Sequence, residues 1–289
     1  MKVAIATDTN SGITAREGAE LGVFVLAMPV NLGETVRYEG IDISNAELYE
    51  AMHNHADVST SQPSPGQLME LWDEILGRGY DGIVYIPMSS GLSGSCQNAA
   101  LFAADYDGRV QVVDNHRISV TQKESVVSAV RLARQGMDPA QIKEYLEQRA
   151  YDSSIYITVD SMEYLTKGGR VTPAAATLAT VLNLKPVLTI QGDKLDAFAK
   201  VRGMKLAEAK MLEALKKDRA ERFADVPDSR LLVETAGTLE SAEQAEAWRQ
   251  QVQAEFPFAK VSYVDLPCSI ACHVGVNSVA AAMTVEEAQ

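Results

Sequence analysis

Two hydroxyl-rich segments and two basic groups are the residues whose types and spacing suit chemistry. Thr60-Ser61-Gln62-Pro63-Ser64-Pro65 sets three hydroxyls beside a helix start, where free backbone N–H groups and hydroxyls can hold an anion such as a carboxylate. The same residues also make an ordinary helix cap and turn. Ser89-Ser90-Gly91-Leu92-Ser93-Gly94-Ser95 follows an apolar run and opens a helix, a placement that points hydroxyls and amides into the crevice at a strand end. Its glycines also suit a simple tight turn. It lacks the Lys of a phosphate-binding loop, and its second Gly falls one residue early for a nucleophile elbow. Lys167-Gly168-Gly169-Arg170 brackets a Gly pair with cations; a guanidinium fork there suits a carboxylate or phosphate, although the motif alone reads as a solvated loop. His273 lies in the small-residue segment Ile270-Ala271-Cys272-His273-Val274-Gly275, read as a loop after a strand, from which a side chain can enter a cleft. A lone His is also commonly structural, the reading given to His53, His55 and His116. Cys268-x3-Cys272-His273 invites zinc, but the second ligand pair of a structural site is missing, so no metal is expected.

These groups need a scaffold, and the apolar pattern supplies one. Val3 to Thr7 and Gly82 to Met88 are continuous apolar runs of the kind that form buried parallel strands; Val23 to Asn31 and Arg109 to Val113 read as further strands. Helices are expected from a Ser44/Glu47 capping box to about His55, from Pro65 to Gly77, through about Ala104, from Ser119 to Arg134, and from an Asp138 cap with Pro139 to Arg149. Strands alternating with helices predict a doubly wound parallel sheet. The second half changes character. Ser154 to Val159, Lys185 to Ile190 and Lys194 to Val201 read as strands, the last two joined by a hairpin turn at Gln191-Gly192-Asp193. An Ala-rich helix after Thr172-Pro173, a long helix Met204 to Arg222, a strand Arg230 to Glu234, a helix Ser241 to Glu255, a strand Lys260 to Val264 and a last helix to Met283 follow. The expectation is an α/β protein of two domains: residues 1–152, a three-layer α/β/α unit with a parallel sheet, and residues 153–289, a two-layer α/β unit with a mixed sheet.

Composition bounds the function. With 46% hydrophobic and 22% charged residues the chain can bury a sizeable core. A net charge of -13 and the absence of a Lys/Arg run argue against nucleic acid, whose binding rests on phosphate neutralisation. Three cysteines, which cannot all pair, fit a reducing compartment. No apolar stretch approaches the roughly 18 residues of a membrane span, and the expected location is the cytoplasm.

In order and spacing, these segments resemble the DegV family over nearly the whole chain. The matching stretches are Ala6-Thr7-Asp8-Thr9, the Thr60 and Ser89 segments, Glu163-Tyr164-Leu165-Thr166-Lys167-Gly168-Gly169-Arg170-Val171, Leu184-Lys185-Pro186-Val187-Leu188-Thr189, Val201-Arg202-Gly203 and the His273 segment. The resemblance implies a fold related to the substrate-binding part of dihydroxyacetone kinases, and a long-chain fatty acid in a tunnel of the second domain. It implies a carrier, not an enzyme: the carboxylate is held by Thr60, by Ser89 or Ser90, and by His273, and is presented to a separate ATP-dependent kinase subunit for acyl-phosphate formation. Ser61 and Ser93 join these as candidate ligand contacts. Arg170 is expected near the head group or the kinase-docking face, acting on kinase coupling more than on retention. No catalytic residue and no cofactor are expected, and membrane contact is transient, through acyl exchange. One departure from the family pattern is Val274-Gly275-Val276-Asn277, where Thr-Gly-Pro-Gly is usual after the His. Two other classes remain open at this point: a stand-alone serine hydrolase or thioesterase using a loop Ser with His273, and a regulatory or structural binding module.

Overall fold

The computed structural model describes residues 1–180, 184–190 and 194–286. The apolar run that opens the chain becomes β1 (Val3–Asp8), flanked in parallel by β2 (Val23–Leu26) and β6 (Gly82–Ile86), with β7 (Val110–Val112) beyond β6. Helices cover both faces of this four-stranded sheet. On one, α3 (Pro65–Gly77) and α4 (Ser95–Ala103) bury Leu68, Trp72, Ile75, Cys96 and Ala99; on the other, α5 (Ser119–Arg134) and α6 (Pro139–Gln148) bury Val126, Leu132, Ile142 and Leu146. A short α1 (Ala15–Leu21) leads into β2. Capping boxes at Ser44/Glu47, Ser64/Gln67 and Asp138/Gln141 start α2 (Asn45–His53), α3 and α6 where the sequence places them, each satisfying two backbone donors that would otherwise lack partners.

The stretch expected as one strand from Val23 to Asn31 is two. β2 joins the parallel sheet, whereas β3 (Pro29–Leu32) pairs antiparallel with β4 (Thr35–Tyr38) and β5 (Val58–Thr60) in a separate three-stranded sheet. The break has a local cause: the Met28 amide leaves the ladder and donates to Thr9 Oγ1 at 3.1 Å, and Pro29, which has no N–H to give, is suited to a strand's first position.

Strands of the second half build a six-stranded sheet in the order β10-β9-β8-β13-β11-β12, from β8 (Ser153–Thr158), β9 (Leu184–Ile190), β10 (Asp196–Arg202), β11 (Leu231–Gly237), β12 (Ser262–Asp265) and β13 (Val279–Val285). Only β11 and β12 run parallel; the other neighbours are antiparallel. The antiparallel β9 and β10 fit the expected hairpin, while its turn at Gln191-Gly192-Asp193 lies outside the described residues. On the outer face α9 (Met204–Glu221) and α10 (Ala242–Glu255) pack Met211, Leu215, Trp248 and Val252 against Val187, Val233 and Met283. The inner face, with Ile155, Ile157, Leu188, Ala236, Ala280 and Ala282, meets Leu92, Ile118 and Val120 from loops and helix ends of the first half.

The expected last helix to Met283 is instead a short α11 (Cys268–Val274) followed by β13. Alanine favours helix, but β13 fills the centre of the sheet between β8 and β11, and tertiary pairing overrides a propensity of a few tenths of a kcal/mol per residue. The Lys167-Gly168 pair likewise belongs to a helix, α7 (Glu163–Gly168), closed by Gly169 at φ +68°. The Ala-rich helix after Thr172 is a single turn, α8 (Pro173–Ala176).

Asp8, buried at the C-terminal end of β1, fastens the loops that face the inner sheet. Its carboxylate accepts from the Met88 amide at 3.0 Å, the Asn10 amide at 3.1 Å and Gln122 Nε2 at 3.0 Å. Burial pushes its pKa up while these donors pull it down. Asp8→Ala strands the Met88 and Asn10 amides, while Gln122 keeps Thr7 and the Ile86 carbonyl as acceptors; urea denaturation is expected to show a loss of about 3 kcal/mol, and a loss under 1 kcal/mol would show that the loops hold without it.

Candidate functional site

Thr60 and His273 lie 213 positions apart and share a 2.8 Å hydrogen bond between Thr60 Oγ1 and His273 Nε2. Thr60 is the last residue of β5, opposite Val30 of β3. His273 occupies the last turn of α11, a helix and not the loop expected from its small residues. The two meet because α11 packs its Cys268, Ala271 and Cys272 into the apolar cluster of Val30, Leu48, Met52 and Val58. The two cysteines are therefore core residues, and burial pushes both thiols up to about 12. The far side of the imidazole rests on α7: a Cβ at Gly168 would collide with His273 Nδ1. Glycine at 168 thus fixes where the ring can sit. The unusual Val274-Gly275-Val276-Asn277 segment closes α11 without loss of bonding. Gly275 at φ +76° returns its amide to the Ala271 carbonyl at 2.8 Å, Thr238 Oγ1 donates to the Gly275 carbonyl at 2.6 Å, and the Asn277 amide donates to the Thr238 carbonyl at 2.9 Å.

Beside this pair opens a cavity of about 410 Å3 between the inner face of the six-stranded sheet and the loops of the first half, within the size range of small-molecule sites. Its floor is set by register. Ala236, Ala280, Ile157 and Leu188 are cross-strand partners in one row, and Glu234, Ala282, Ile155 and Ile190 in the next, roughly 7 Å along the strands. Small alanines at the centre of each row leave the space that larger side chains would fill. The walls include Met28, Met88, Leu92, Ile118, Val120, Leu165, Leu195, Leu266 and Ile270. Polar groups gather where β5, α11 and the chain after α7 converge: Thr60, Ser61, Gln62, Arg170 and His273 line the cavity there, joined by Ser93.

Of the residues singled out in the sequence, Thr60, Ser61, Ser93, Arg170 and His273 are thus brought to one cavity. Ser89 and Ser90 are not among its lining residues. Ser89 is buried in its own turn, its Oγ accepting from the Gly91 amide at 3.1 Å, and the Ser90 amide donates to Asp114 Oδ1 at 3.2 Å. Gly94 lies against the other hydroxyl segment: a Cβ there would stand 2.9 Å from Gln62 Nε2, and the Gln62 amide would have to shift. His53, given a structural reading, pairs with Glu240 at 2.7 Å. Sequence reasoning missed Asn10, Ser119, Glu234 and Ser269 as lining residues. Single polar residues in loops and on a strand carry no motif, and only the sheet register exposes Glu234 as a carboxylate in an apolar row.

Burial, and then the positive charge of Arg170, lower His273 to about 4. At neutral pH the imidazole is uncharged, and the cationic group at this end of the cavity is Arg170, whose guanidinium also donates to the Gly168 carbonyl. A neutral donor beside a fixed cation suits a carboxylate.

The sequence pattern of the DegV family, described as one of uncharacterised proteins, matches residues 2–286. The chain belongs to the DegV family. A DegV domain-containing protein of Deinococcus radiodurans is 34% identical over 218 residues, covering 75% of this chain and 77% of that one, and one from Halalkalibacterium halodurans is 27% identical over 99% of both. Among solved structures, a DegV family protein from Thermus thermophilus, described by its fatty-acid binding, superposes with a TM-score of 0.87 at 29% identity over 99% of this chain and 100% of that one. DegV of Bacillus subtilis, described as a fatty acid binding protein, gives 0.86 at 25% identity over the same shares. The α/β architecture of a parallel sheet with a separate mixed sheet is therefore that of DegV proteins.

The lowered His273 pKa has a stability consequence in this DegV chain. Below an unfolded value near 6.5 the unfolded chain takes up a proton that the folded imidazole refuses until about pH 4, so this group's contribution falls as pH drops from 6.5 to 4. His273→Gln, which cannot titrate, should lose less stability than the parent between pH 7 and 4.5 in urea denaturation. Equal losses would mean that His273 takes up its proton in the folded state as easily as in the unfolded.

Proposed function

We propose that this chain is a long-chain fatty-acid carrier, which buries the acyl tail in the cavity and holds the carboxylate at Thr60, His273 and Arg170. The observation that carries this reading is the pairing of the Thr60–His273 hydrogen bond and the Arg170 charge with an alanine-floored apolar cavity. Burying about fourteen methylenes at roughly 0.8 kcal/mol each contributes on the order of 11 kcal/mol before binding costs. Charge-assisted hydrogen bonds to the head are worth about 1.5 to 3 kcal/mol and largely offset its desolvation. The tail supplies affinity and the head contacts supply orientation. The fatty acids described for the Thermus and Bacillus relatives support the same ligand class.

A phosphoryl donor would come from a separate ATP-dependent kinase. The sequence holds no Gly-x-x-x-x-Gly-Lys loop, and a carrier aids phosphoryl transfer by fixing the acceptor in line. Membrane contact is limited to acyl exchange; among the described residues no helix is long and apolar enough to cross a membrane. The geometry favours this over a serine hydrolase. The hydroxyl on His273 Nε2 is that of Thr60, the other ring nitrogen faces Gly168 where an orienting carboxylate would be needed, and a ring held down at about 4 is a poor general base at neutral pH.

Denaturing extraction and mass spectrometry of the purified protein should find about one long-chain fatty acid per chain, the tail term favouring retention; repeated absence would defeat the carrier. His273→Ala should weaken binding of a fluorescent fatty acid by about 1 to 3 kcal/mol and leave the rest of the affinity in place. Loss of all binding with the fold intact would mean that the head dominates. Incubated with ATP alone the chain should form no acyl phosphate, and with a fatty-acid kinase subunit it should; Arg170→Ala should reduce both retention and kinase-dependent turnover, because Arg170 faces the cavity. Acyl phosphate made by the chain alone would overturn the carrier assignment.

A further inference from the structure

The floor of the cavity contains a carboxylate that head-group binding does not use. Glu234 shares its row with Ala282, Ile155 and Ile190, and with Ile190 on the other side of the cavity that row is roughly 14 Å wide. It stands one row away from Ala236, the neighbour on its own strand that also lines the cavity. Strand alternation puts Glu234 on the apolar face and Val233 and Thr235 on the other, so its direction follows from the register. Its electrostatic neighbours are known: Ser262 hydrogen-bonds it, and Lys123, Glu124 and Glu17 act on it from the helices above. Lys123 is itself paired to Glu17 at 2.6 Å, which leaves Glu234 without a dedicated counter-ion. Burial raises its carboxyl to about 7.

Over the same cavity stands Ser119, the first residue of α5 and one helical turn before Lys123 on the same face. It is 7% exposed and lines the cavity, and its Oγ has no hydrogen-bond partner in the structure. A buried hydroxyl left unpaired is costly, and the Glu234 carboxyl, with Ser262 as its hydrogen-bond partner, has room to accept a further donor. A saturated tail would offer neither group a partner. An alcohol oxygen on the chain, able to donate to Glu234 and accept from Ser119, would satisfy both.

Resting on the fatty-acid reading, we propose that Glu234 and Ser119 form a polar subsite within the tail cavity that selects acyl chains carrying a hydroxyl group along their length. The test is competition. A bound fluorescent fatty acid is displaced by hexadecanoate and by a series of monohydroxy-hexadecanoates with the hydroxyl walked along the chain. One positional isomer, or two adjacent ones, should displace it at about tenfold lower concentration than the other isomers and at lower concentration than hexadecanoate. Ser119→Ala and Glu234→Leu should each remove that preference, read as the ratio of the favoured isomer's displacing concentration to that of hexadecanoate on the same variant. Glu234→Gln, which retains a hydrogen-bonding group of the same size, should keep most of it and controls for misfolding. The proposal is overturned if every hydroxylated isomer binds more weakly than hexadecanoate, or if the preference survives both Ser119→Ala and Glu234→Leu. Failure of hexadecanoate itself to compete would instead bring down the carrier reading, and this subsite with it.

Discussion

The seating of α11 on the three-stranded sheet is the constraint on which the rest of the site depends. A helix of the second half, Cys268–Val274, is held by a carboxyl from the first half: Glu39 accepts from the Ser269 amide at 3.3 Å and stands 2.8 Å from Ser269 Oγ, while Thr9 Oγ1 donates to the same carboxyl at 2.7 Å. Ser269 Oγ is also 2.9 Å from Asn10 Oδ1. One hydroxyl hydrogen serves only one of these two acceptors at a time; burial raises the Glu39 pKa, while the hydrogen bonds from Thr9 and Ser269 lower it. This buried network fixes α11 against the loop after β1, and so places His273 within reach of Thr60. Partly satisfied, such a network would be costly, which makes it a strong determinant of a single arrangement.

From that seating the division of labour in the cavity follows. Polar groups from β5, the chain after α7 and α11 meet at one place because three chain segments converge there, while the sheet beneath contributes only what its register exposes, alternating rows with alanine at their centres. Space is made by side chains that are absent and chemistry by the few that are polar. The uncharged His273 and the cationic Arg170 stand side by side at one end of the cavity, and glycine at 168 leaves the room in which the ring lies against α7.

Much of the site was legible in the sequence because it is written in local signals. Capping boxes at Ser44, Ser64 and Asp138 act through neighbours three residues on, and a continuous apolar run as short as Gly82–Ile86, bounded by Gly and Pro, suits a buried strand better than a helix, so helix starts and the parallel sheet followed directly. The motifs around Thr60, Ser93, Arg170 and His273 each suit ligand contact only weakly when read alone, and it was their order and spacing, resembling the DegV family, that made them candidates. The split at Met28, the strand character of Val279–Val285 and the helix at Cys268–Val274 depended on partners far away in the chain. A backbone amide taken by Thr9, a gap between β8 and β11, and a cap from Glu39 decided them. Ser89 and Ser90 share a motif with Ser93, yet turn geometry sends only Ser93 to the cavity. The sequence by itself determined which residue types were available and where many elements begin, because those depend on bonds within a few residues; the tertiary structure alone decided which of them share a cavity, and that Glu234 lines it, because strand register is set by pairing between strands distant in the chain and the packing of α11 by contacts across more than 200 positions.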